Sequence, residues 1–448
     1  MTQLFGTDGI RGLAGEFPLD RKTVSIIGAS LAQQLAQKLG RAPRFISGRD
    51  TRESGEWIET ALRQGAASEG SVCESAGVIT TPGVAYLTRA FDFDAGIVVS
   101  ASHNPFEDNG IKIFSPTGKK MDGGTEREIE RAIHEASFDP DLSESGDGPA
   151  DRSAELGHAY TQHLLDAANG FSAAGMKIVI DCANGAASAL APQLFAETGA
   201  EVIAINDQPD GRNINANCGS LHLEHLQAKV VETGADLGVA LDGDADRALF
   251  CDENGSVVDG DATLWIMAQY LRSHGKLVNS KVVATVMSNI GLEMALKSLG
   301  VELLRANVGD KYVLEKLLET GSEIGGEQSG HIIFPEISLV GDGMMTALLI
   351  LRSIVEKGVT LSHAADGFVR YPQILKNIKV KQKLPFEQVP AIADAARQVE
   401  SELSGAGRLL LRYSGTENLA RVMIEGQDQS AIDAQAERLA YVIGESLG

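Results

Sequence analysis

Three stretches of this 448-residue chain repeat one pattern, and the repetition limits the fold more than any single motif does. Each stretch begins with a short apolar strand: RFIS at 44–47, KIVI at 177–180 and KVVATV at 281–286. A polar loop and a helical stretch follow, and a second strand then starts at Val72, Glu201 and Val301. From 44 to 72, 177 to 201 and 281 to 301 the gaps are 28, 24 and 20 residues, the reach of a βαβ crossover. Third strands start at Ala95, Asp236 and Glu323, and each runs straight into a polar loop: SASHNP (100–105), DGDADR (242–247) or GEQSGH (326–331). Another apolar run follows each loop (GIKIF, ALFC, HIIF), and an amphipathic helix closes the unit. Those helices read TEREIERAIHEA, ATLWIMAQYLRSHG and MMTALLILRSIVEKG. Repeats of about 100 residues are duplicated domains rather than solenoid turns.

In α/β sheets, ligands gather beyond the carboxyl ends of the strands, where the three polar loops fall. One central cleft lined by all three is therefore expected. Residues 137–155, SFDPDLSESGDGPADRSAE, are polar, acidic and rich in turn formers, and read as a linker. After about residue 368 the pattern changes to strands near 374–381, 409–413 and 419–426 with helices around 386–403 and 431–445. The expected fold class is α/β: three similar domains of mixed sheets with helices on both faces, plus a smaller C-terminal α+β domain. The expected boundaries are 1–153, 154–255, 256–368 and 369–448.

Acidic residues outnumber basic ones by 61 to 39, a net charge of −22, which argues against a nucleic-acid footprint. A local anion site remains open, because salt screens fields beyond about 8 Å. No apolar run approaches the ~20 residues of a membrane span, since Arg352 interrupts Met344–Val355. The start, MTQLFGTDGIRG, lacks a basic-then-apolar signal pattern, and four scattered cysteines without a CxxC pair fit a reducing compartment. A cytoplasmic protein with no membrane or nucleic-acid partner is expected.

In the first loop, Ser102 sits beside His103, with Ser100 as a rival nucleophile; a serine needs a base or a metal-polarised acceptor to react. The second loop alternates Asp242, Asp244 and Asp246, whose mutual repulsion a hard divalent cation offsets. An EF-hand fails because Arg247 replaces the glycine at position 6 and strands flank the loop, although Glu253 occupies position 12. The aspartyl-phosphatase pattern DxDx[TV] fails at Asp246, leaving a metal site or a solvated acidic turn. In the third loop Glu327 and Ser329 suit polyol hydroxyls, and His331 is either a proton shuttle or a surface residue of a plain turn. The histidine pairs His158/His163 and His222/His225 read as helix-surface residues. Further on, RYSGTEN places Ser414, Gly415 and Thr416 between Arg412 and Arg421, an anion nest suited to phosphate. Walker A and GxGxxG patterns are absent, so the phosphate belongs to a small substrate.

Taken together, FGTDGIRG (5–12), SASHNPFEDNGIKIF (100–114), LDGDADR (241–247), GEQSGHII (326–333) and SGTE (414–417) resemble the α-D-phosphohexomutase superfamily over essentially the whole chain. The resemblance implies an isomerase moving a phosphoryl group between two hydroxyls of one sugar. The FGTDGIRG opening and the GEQSGH form resemble the bacterial branch acting on glucosamine 6- and 1-phosphate, on the way to UDP-N-acetylglucosamine. It also implies Ser102, not Ser100, as the phosphoserine. Mg²⁺, one per chain, is implied on Asp242, Asp244, Asp246 and a phosphoserine oxygen, and a hexose or hexosamine 1,6-bisphosphate as intermediate and activator. Arg11, His103, Lys112 and Arg247 match residues around the transferring group, with Lys112, His103 and His331 unranked as acid/base. Glu327 and Ser329 match the sugar loop; Arg412, Ser414, Gly415, Thr416, Asn418 and Arg421 fall in and around the phosphate loop. Asn418 stands where many relatives have proline, and Lys311 where arginine is expected, which keeps charge but loses bidentate geometry. Relatives are often dimers, so a homodimer is compatible, and the fourth domain is expected to turn as a lid near 366–373.

Overall fold

The computed structural model describes residues 3–136, 152–414 and 417–448. Two compact units emerge: Met1–Met287 with Leu304–Asp366, and Ser288–Leu303 with Gly367–Gly448.

The first unit carries three sheets with a shared strand order. In the first, Arg44–Arg49 pairs parallel with Val72–Val78 on one side and with Ala95–Val99 on the other. Asp108–Phe114 then runs antiparallel to Ala95–Val99, and Ile10–Leu13 closes the far edge against it. The second sheet repeats this with Lys177–Asp181 between Glu201–Ile205 and Leu237–Leu241, followed by antiparallel Ala248–Asp252 and Val257–Val258. The third places Lys281–Thr285 between Glu302–Ala306 and Gly325–Gly326, with Ile332–Ile333 antiparallel beyond. Here the strands expected at 323–326 and 331–334 shrink to two residues each.

The strands leading into the first two loops, Ala95–Val99 and Leu237–Leu241, are buried at every residue, as strands covered on both faces must be. In each repeat the chain reverses after a parallel strand into an antiparallel one, so the intervening loop projects at the carboxyl ends.

The expected linker mostly lies outside the described residues, but its last three do not behave as linker. Ser153–Ala167 is a helix: Leu156, Tyr160 and Leu164 bury one face at four-residue spacing, and Arg152 pairs with Glu155 at its start. His163 on this helix stacks on Tyr86 at 4.1 Å and is half-buried, and His222 sits in a loop just after a short 3₁₀ turn, so neither is the helix-surface residue expected.

Asp342 caps the helix Gly343–Lys357 through the Met345 N–H at 2.9 Å and accepts from the Tyr160 hydroxyl at 2.7 Å. Burial pushes its carboxyl up to about 6. Because the native chain then binds this proton more tightly than the unfolded one, the group's contribution to stability falls as pH rises from about 4 to about 6. Asp342→Asn keeps an acceptor for the Met345 N–H, lets its amide N–H donate to the Tyr160 hydroxyl oxygen in place of the bond it accepted, and removes that ionisation cost. It is expected to stabilise the fold by on the order of 2–3 kcal/mol at pH 8 and by nothing at pH 3.5. Urea unfolding at the two pH values checks this, and equal shifts at both would contradict it.

The second unit is an antiparallel sheet with Leu419–Glu425 between Gln373–Lys379 and Arg408–Tyr413. Helices Pro390–Leu403 and Gln429–Leu447 share its core, with Ile392, Val399, Leu439 and Ile443 buried against Val422 and Ile424. Helix Ile290–Ser298 belongs to this unit although it lies far away in sequence. The buried Glu425 carboxylate accepts from the Ile290 N–H at 3.2 Å and from Arg408 Nε at 2.8 Å. A β-carbon on Gly291 would fall 1.9 Å from the Val369 carbonyl oxygen, so only glycine permits this approach.

Candidate active site

The first unit brings ten of the expected residues together, and six of them, Arg11, His103, Asp246, Arg247, Glu327 and His331, line one cleft. Ser102 follows the strand Ala95–Val99, is 1% exposed and donates from Oγ to Asp242 Oδ2 at 2.6 Å. His103 Nδ1 lies 3.3 Å from the same Oγ. Burial, with Arg247 and Arg11 nearby, pushes the His103 imidazole down to about 4, so it is neutral at neutral pH and able to accept a proton.

Asp242, Asp244 and Asp246 present oxygens within 4.8 Å of one another, all three side chains buried. Like charges this close are costly, and the chain meets them with one cation. Lys112, projecting from the strand Asp108–Phe114, reaches Asp244 Oδ2 at 2.9 Å and Asp246 Oδ2 at 3.3 Å. Burial opposes its charge, but Asp244, Asp8 and Asp246 outweigh it and hold the ammonium well above its ordinary pKa. Burial together with Asp246 and Asp244 pushes Asp242 up, whereas Lys112 and Arg247 overcome burial at Asp246 and hold it down. Asp244 Oδ1 and Asp246 Oδ1 are buried without a hydrogen bond. Orphaned carboxylate oxygens in an all-oxygen set fit a hard divalent cation better than a solvated turn.

Arg11 pairs with Asp8 and reaches Asn104 Oδ1 at 3.4 Å; Arg247 Nε lies 3.8 Å from Asp246 Oδ1. Glu327 accepts at Oε1 from the Gly309 N–H at 3.0 Å. His331 is 4% exposed, which excludes the surface-turn reading. Its Nε2 lies 3.3 Å from the Gly341 N and 3.9 Å from Asp310 Oδ2, and its buried Nδ1 has no hydrogen-bond partner. These residues line a cleft of about 420 Å³ together with Asp8, Gly309 and Asp310. Ser329 is half-buried in the turn between Glu327 and His331, and Lys311 is exposed beside Asp310.

Sequence reasoning missed several residues here. Asp8 takes Lys112 at 3.1 Å and Lys120 at 2.7 Å, and Lys120 bridges on to Asp310 at 2.6 Å. Thr81 donates to Asp244 Oδ2 at 2.5 Å. Asp8 lies inside the FGTDGIRG motif, where a lone acid three residues before Arg11 was the available signal.

In the second unit, Arg412 and Arg421 stand directly opposite each other on paired strands. Burial and the Arg421 charge push the Arg412 guanidinium down, a like-charge pairing that an anion relieves. Ser414 follows on the same hairpin: its N–H donates to the Leu419 carbonyl at 2.9 Å, and its own carbonyl takes Lys383 Nζ at 2.7 Å. Asn418 is exposed, and its carbonyl accepts from the Val380 N–H at 3.0 Å. Gly415 and Thr416 lie outside the described residues.

Models of phosphoglucomutase/phosphomannomutase α/β/α domains I, II and III match residues 2–140, 158–255 and 259–371, and the model of the family's C-terminal domain matches 375–442. A phosphoglucosamine mutase of Koribacter versatilis is 47% identical over 100% of this chain and 97% of its own length. The chain belongs to the phosphoglucomutase/phosphomannomutase family. A second family member, a phosphoglucosamine mutase of Solibacter usitatus, is 46% identical over 99% of each chain. Among solved members, a Burkholderia thailandensis family protein superposes with a TM-score of 0.80 at 23% identity, covering 100% of this chain and 98% of its own. Aspergillus fumigatus N-acetylphosphoglucosamine mutase, solved with GlcNAc-6P and magnesium, gives 0.65 at 19% identity over 99% and 96%. At those identities the likeness shows the fold. As a family member this chain is an isomerase of the mutase type. Among the described residues, no helix is long and apolar enough to cross a membrane.

Proposed function

We propose that this chain interconverts glucosamine 6-phosphate and glucosamine 1-phosphate, with Ser102 as phosphoryl carrier and a hexosamine 1,6-bisphosphate as intermediate. The observation that carries the reading is Ser102 Oγ, buried and 2.6 Å from Asp242, beside two orphaned carboxylate oxygens and a cleft into which Arg11 and Arg247 face. The substrate choice is supported by full-length relatives named phosphoglucosamine mutase.

In the first half-reaction the P–Oγ bond of phospho-Ser102 breaks and a new P–O bond forms to the free sugar hydroxyl, whose proton leaves to a base. In the second, the other phosphoryl group of the bisphosphate returns to Ser102 Oγ and the proton returns to the sugar oxygen. Phosphoryl transfer needs in-line positioning and cations around the equatorial oxygens. Arg11, Lys112 and Arg247 supply the cations. His103, neutral at working pH, His331 and Lys112 are the groups placed to hold or move the proton. Mg²⁺, held by Asp242, Asp244, Asp246 and a phosphoryl oxygen of Ser102, supplies further charge neutralisation when bound. Glu327 and Ser329 bind sugar hydroxyls. Arg412, Ser414, Gly415, Thr416, Asn418 and Arg421 take the phosphate that is not reacting, in a C-terminal domain that we place at 369–448. The three preceding domains run 1–153, 154–255 and 256–368. The working form is cytoplasmic and is switched on by phosphorylation of Ser102, by a kinase, a sugar bisphosphate or the chain itself.

The test is ³¹P NMR of glucosamine, mannose and glucose 6-phosphates with the protein, Mg²⁺ and a trace of hexose 1,6-bisphosphate. The 1-phosphate signal is expected to grow fastest with the amino sugar. A faster reaction with mannose or glucose phosphate would move the substrate assignment to a sister mutase. No reaction with any sugar would leave a catalytically dead sugar-phosphate binder.

A further inference from the structure

Ser102 holds φ at +53°, a left-handed backbone that residues with a β-carbon rarely adopt. Such conformations persist where surrounding contacts over-determine them, and they cluster at reacting groups. Here most of the contacts come from Arg52, Asn215 and Asp50, which no motif above includes. Arg52, whose side chain is fully buried, donates from Nη2 to the carbonyl oxygens of Ser102 at 3.1 Å and Asn104 at 2.7 Å. Asn215 Nδ2 donates to the same two oxygens, at 2.9 and 3.0 Å. From the other side, the Ser102 N–H donates to Ser100 Oγ at 2.9 Å, and Ser100 Oγ donates to buried Asp50 at 2.6 Å. Ser100 is therefore a brace for the nucleophile's backbone, with its hydroxyl turned into the fold.

Arg52 comes from the first repeat and Asn215 from the second, so the clamp ties the serine loop to the domain that carries the aspartates. The fit leaves no slack. A β-carbon on Gly243, between Asp242 and Asp244, would stand 2.5 Å from the Ser102 carbonyl oxygen and 2.9 Å from Asn215 Nδ2.

We propose that Arg52 and Asn215 are positioning residues for phosphoryl transfer: by gripping the Ser102 and Asn104 carbonyls they hold Ser102 Oγ in line with the cleft through both half-reactions. The proposal rests on Ser102 being the phosphoryl carrier. Both side chains are turned onto backbone carbonyls of the serine loop, and neither is among the residues that line the cleft. Misplacing a reacting atom by about 1 Å costs on the order of 10²-fold in rate, whereas binding of the sugar phosphate by other loops is untouched.

The experiment compares the full chain with Asn215→Ala and Arg52→Lys, the latter keeping charge but losing the planar fork. Ser102 phosphate content is read by intact mass. Single-turnover transfer from phosphorylated enzyme to glucosamine 6-phosphate, and steady-state kcat and KM, are then measured. Both variants are expected to transfer ten- to a hundredfold more slowly and to lose kcat equally, with KM within threefold and folded far-UV spectra. Unchanged kcat, or a raised KM with kcat intact, overturns the clamp. If Asn215→Ala does not fold, Arg52→Lys decides alone. If the unmutated chain carries phosphate on Ser102 yet passes none to the sugar, the carrier reading fails first, and that failure is visible before any variant is compared.

Discussion

Ser102→Ala is expected to abolish mutase turnover, by roughly 10⁴-fold or more, while glucosamine 6-phosphate still binds within a few-fold of its affinity for the unmutated chain. The hydroxyl is the only part of the side chain removed, and the loop that presents it is held by its backbone rather than by Oγ. Stability therefore changes little, although Asp242 Oδ2 loses its hydroxyl donor inside a buried cluster. The cleft keeps Arg11, Arg247, Glu327 and His331, which line it independently of Ser102. Calorimetric titration with glucosamine 6-phosphate and the ³¹P assay run on one sample separate the two quantities. Turnover within tenfold of the unmutated chain would remove Ser102 from the mechanism. Lost binding with a folded protein would instead make the serine a binding group.

The repeat is readable in the sequence because the strands Ala95–Val99 and Leu237–Leu241 are continuously apolar and stop abruptly at polar loops, a contrast that burial on both faces enforces. The edge strand Ile10–Leu13 is not readable this way: it has four residues, one of them glycine, and exists only by pairing with Asp108–Phe114 almost a hundred residues away. The third strand expected from Glu323 is reduced to Gly325–Gly326, which pairs with Val283 and Ala284. Within the cleft, the aspartate loop announces itself by local spacing, whereas Asp8, Lys120 and Asp310 matter only as a chain of ion pairs across the first and third repeats. His331 illustrates the limit most sharply. The sequence allows a surface histidine, and only packing against Gly341, whose added β-carbon would sit 2.6 Å from the ring, shows it enclosed. Arg52 and Asn215 act through other residues' carbonyls, a role that carries no local pattern at all.

Lys112→Met is expected to lower kcat by about 10³-fold and to make the fold dependent on magnesium. Lys112 is 1% exposed and within 3.3 Å of carboxylate oxygens on Asp8, Asp244 and Asp246. Methionine fills similar volume but leaves those carboxylates, with Asp242, facing one another without their central ammonium. Removing one partner from a buried charge cluster typically costs about 3–5 kcal/mol. Part of that loss is recoverable. A divalent cation bound to the folded chain alone stabilises it by mass action, and the variant lacks the ammonium that otherwise competes for Asp244 and Asp246. Magnesium should therefore raise the melting temperature more in Lys112→Met than in the unmutated chain, while kcat stays low because a cation on the aspartates does not replace the fixed ammonium that the proposed mechanism sets at the transferring phosphoryl group. Thermal unfolding across a MgCl₂ series, paired with kcat at saturating magnesium, measures both. Equal magnesium shifts in the two proteins would mean that the aspartates do not share a site with Lys112. Recovery of kcat by magnesium would mean that the lysine serves only to balance charge and takes no part in the transfer.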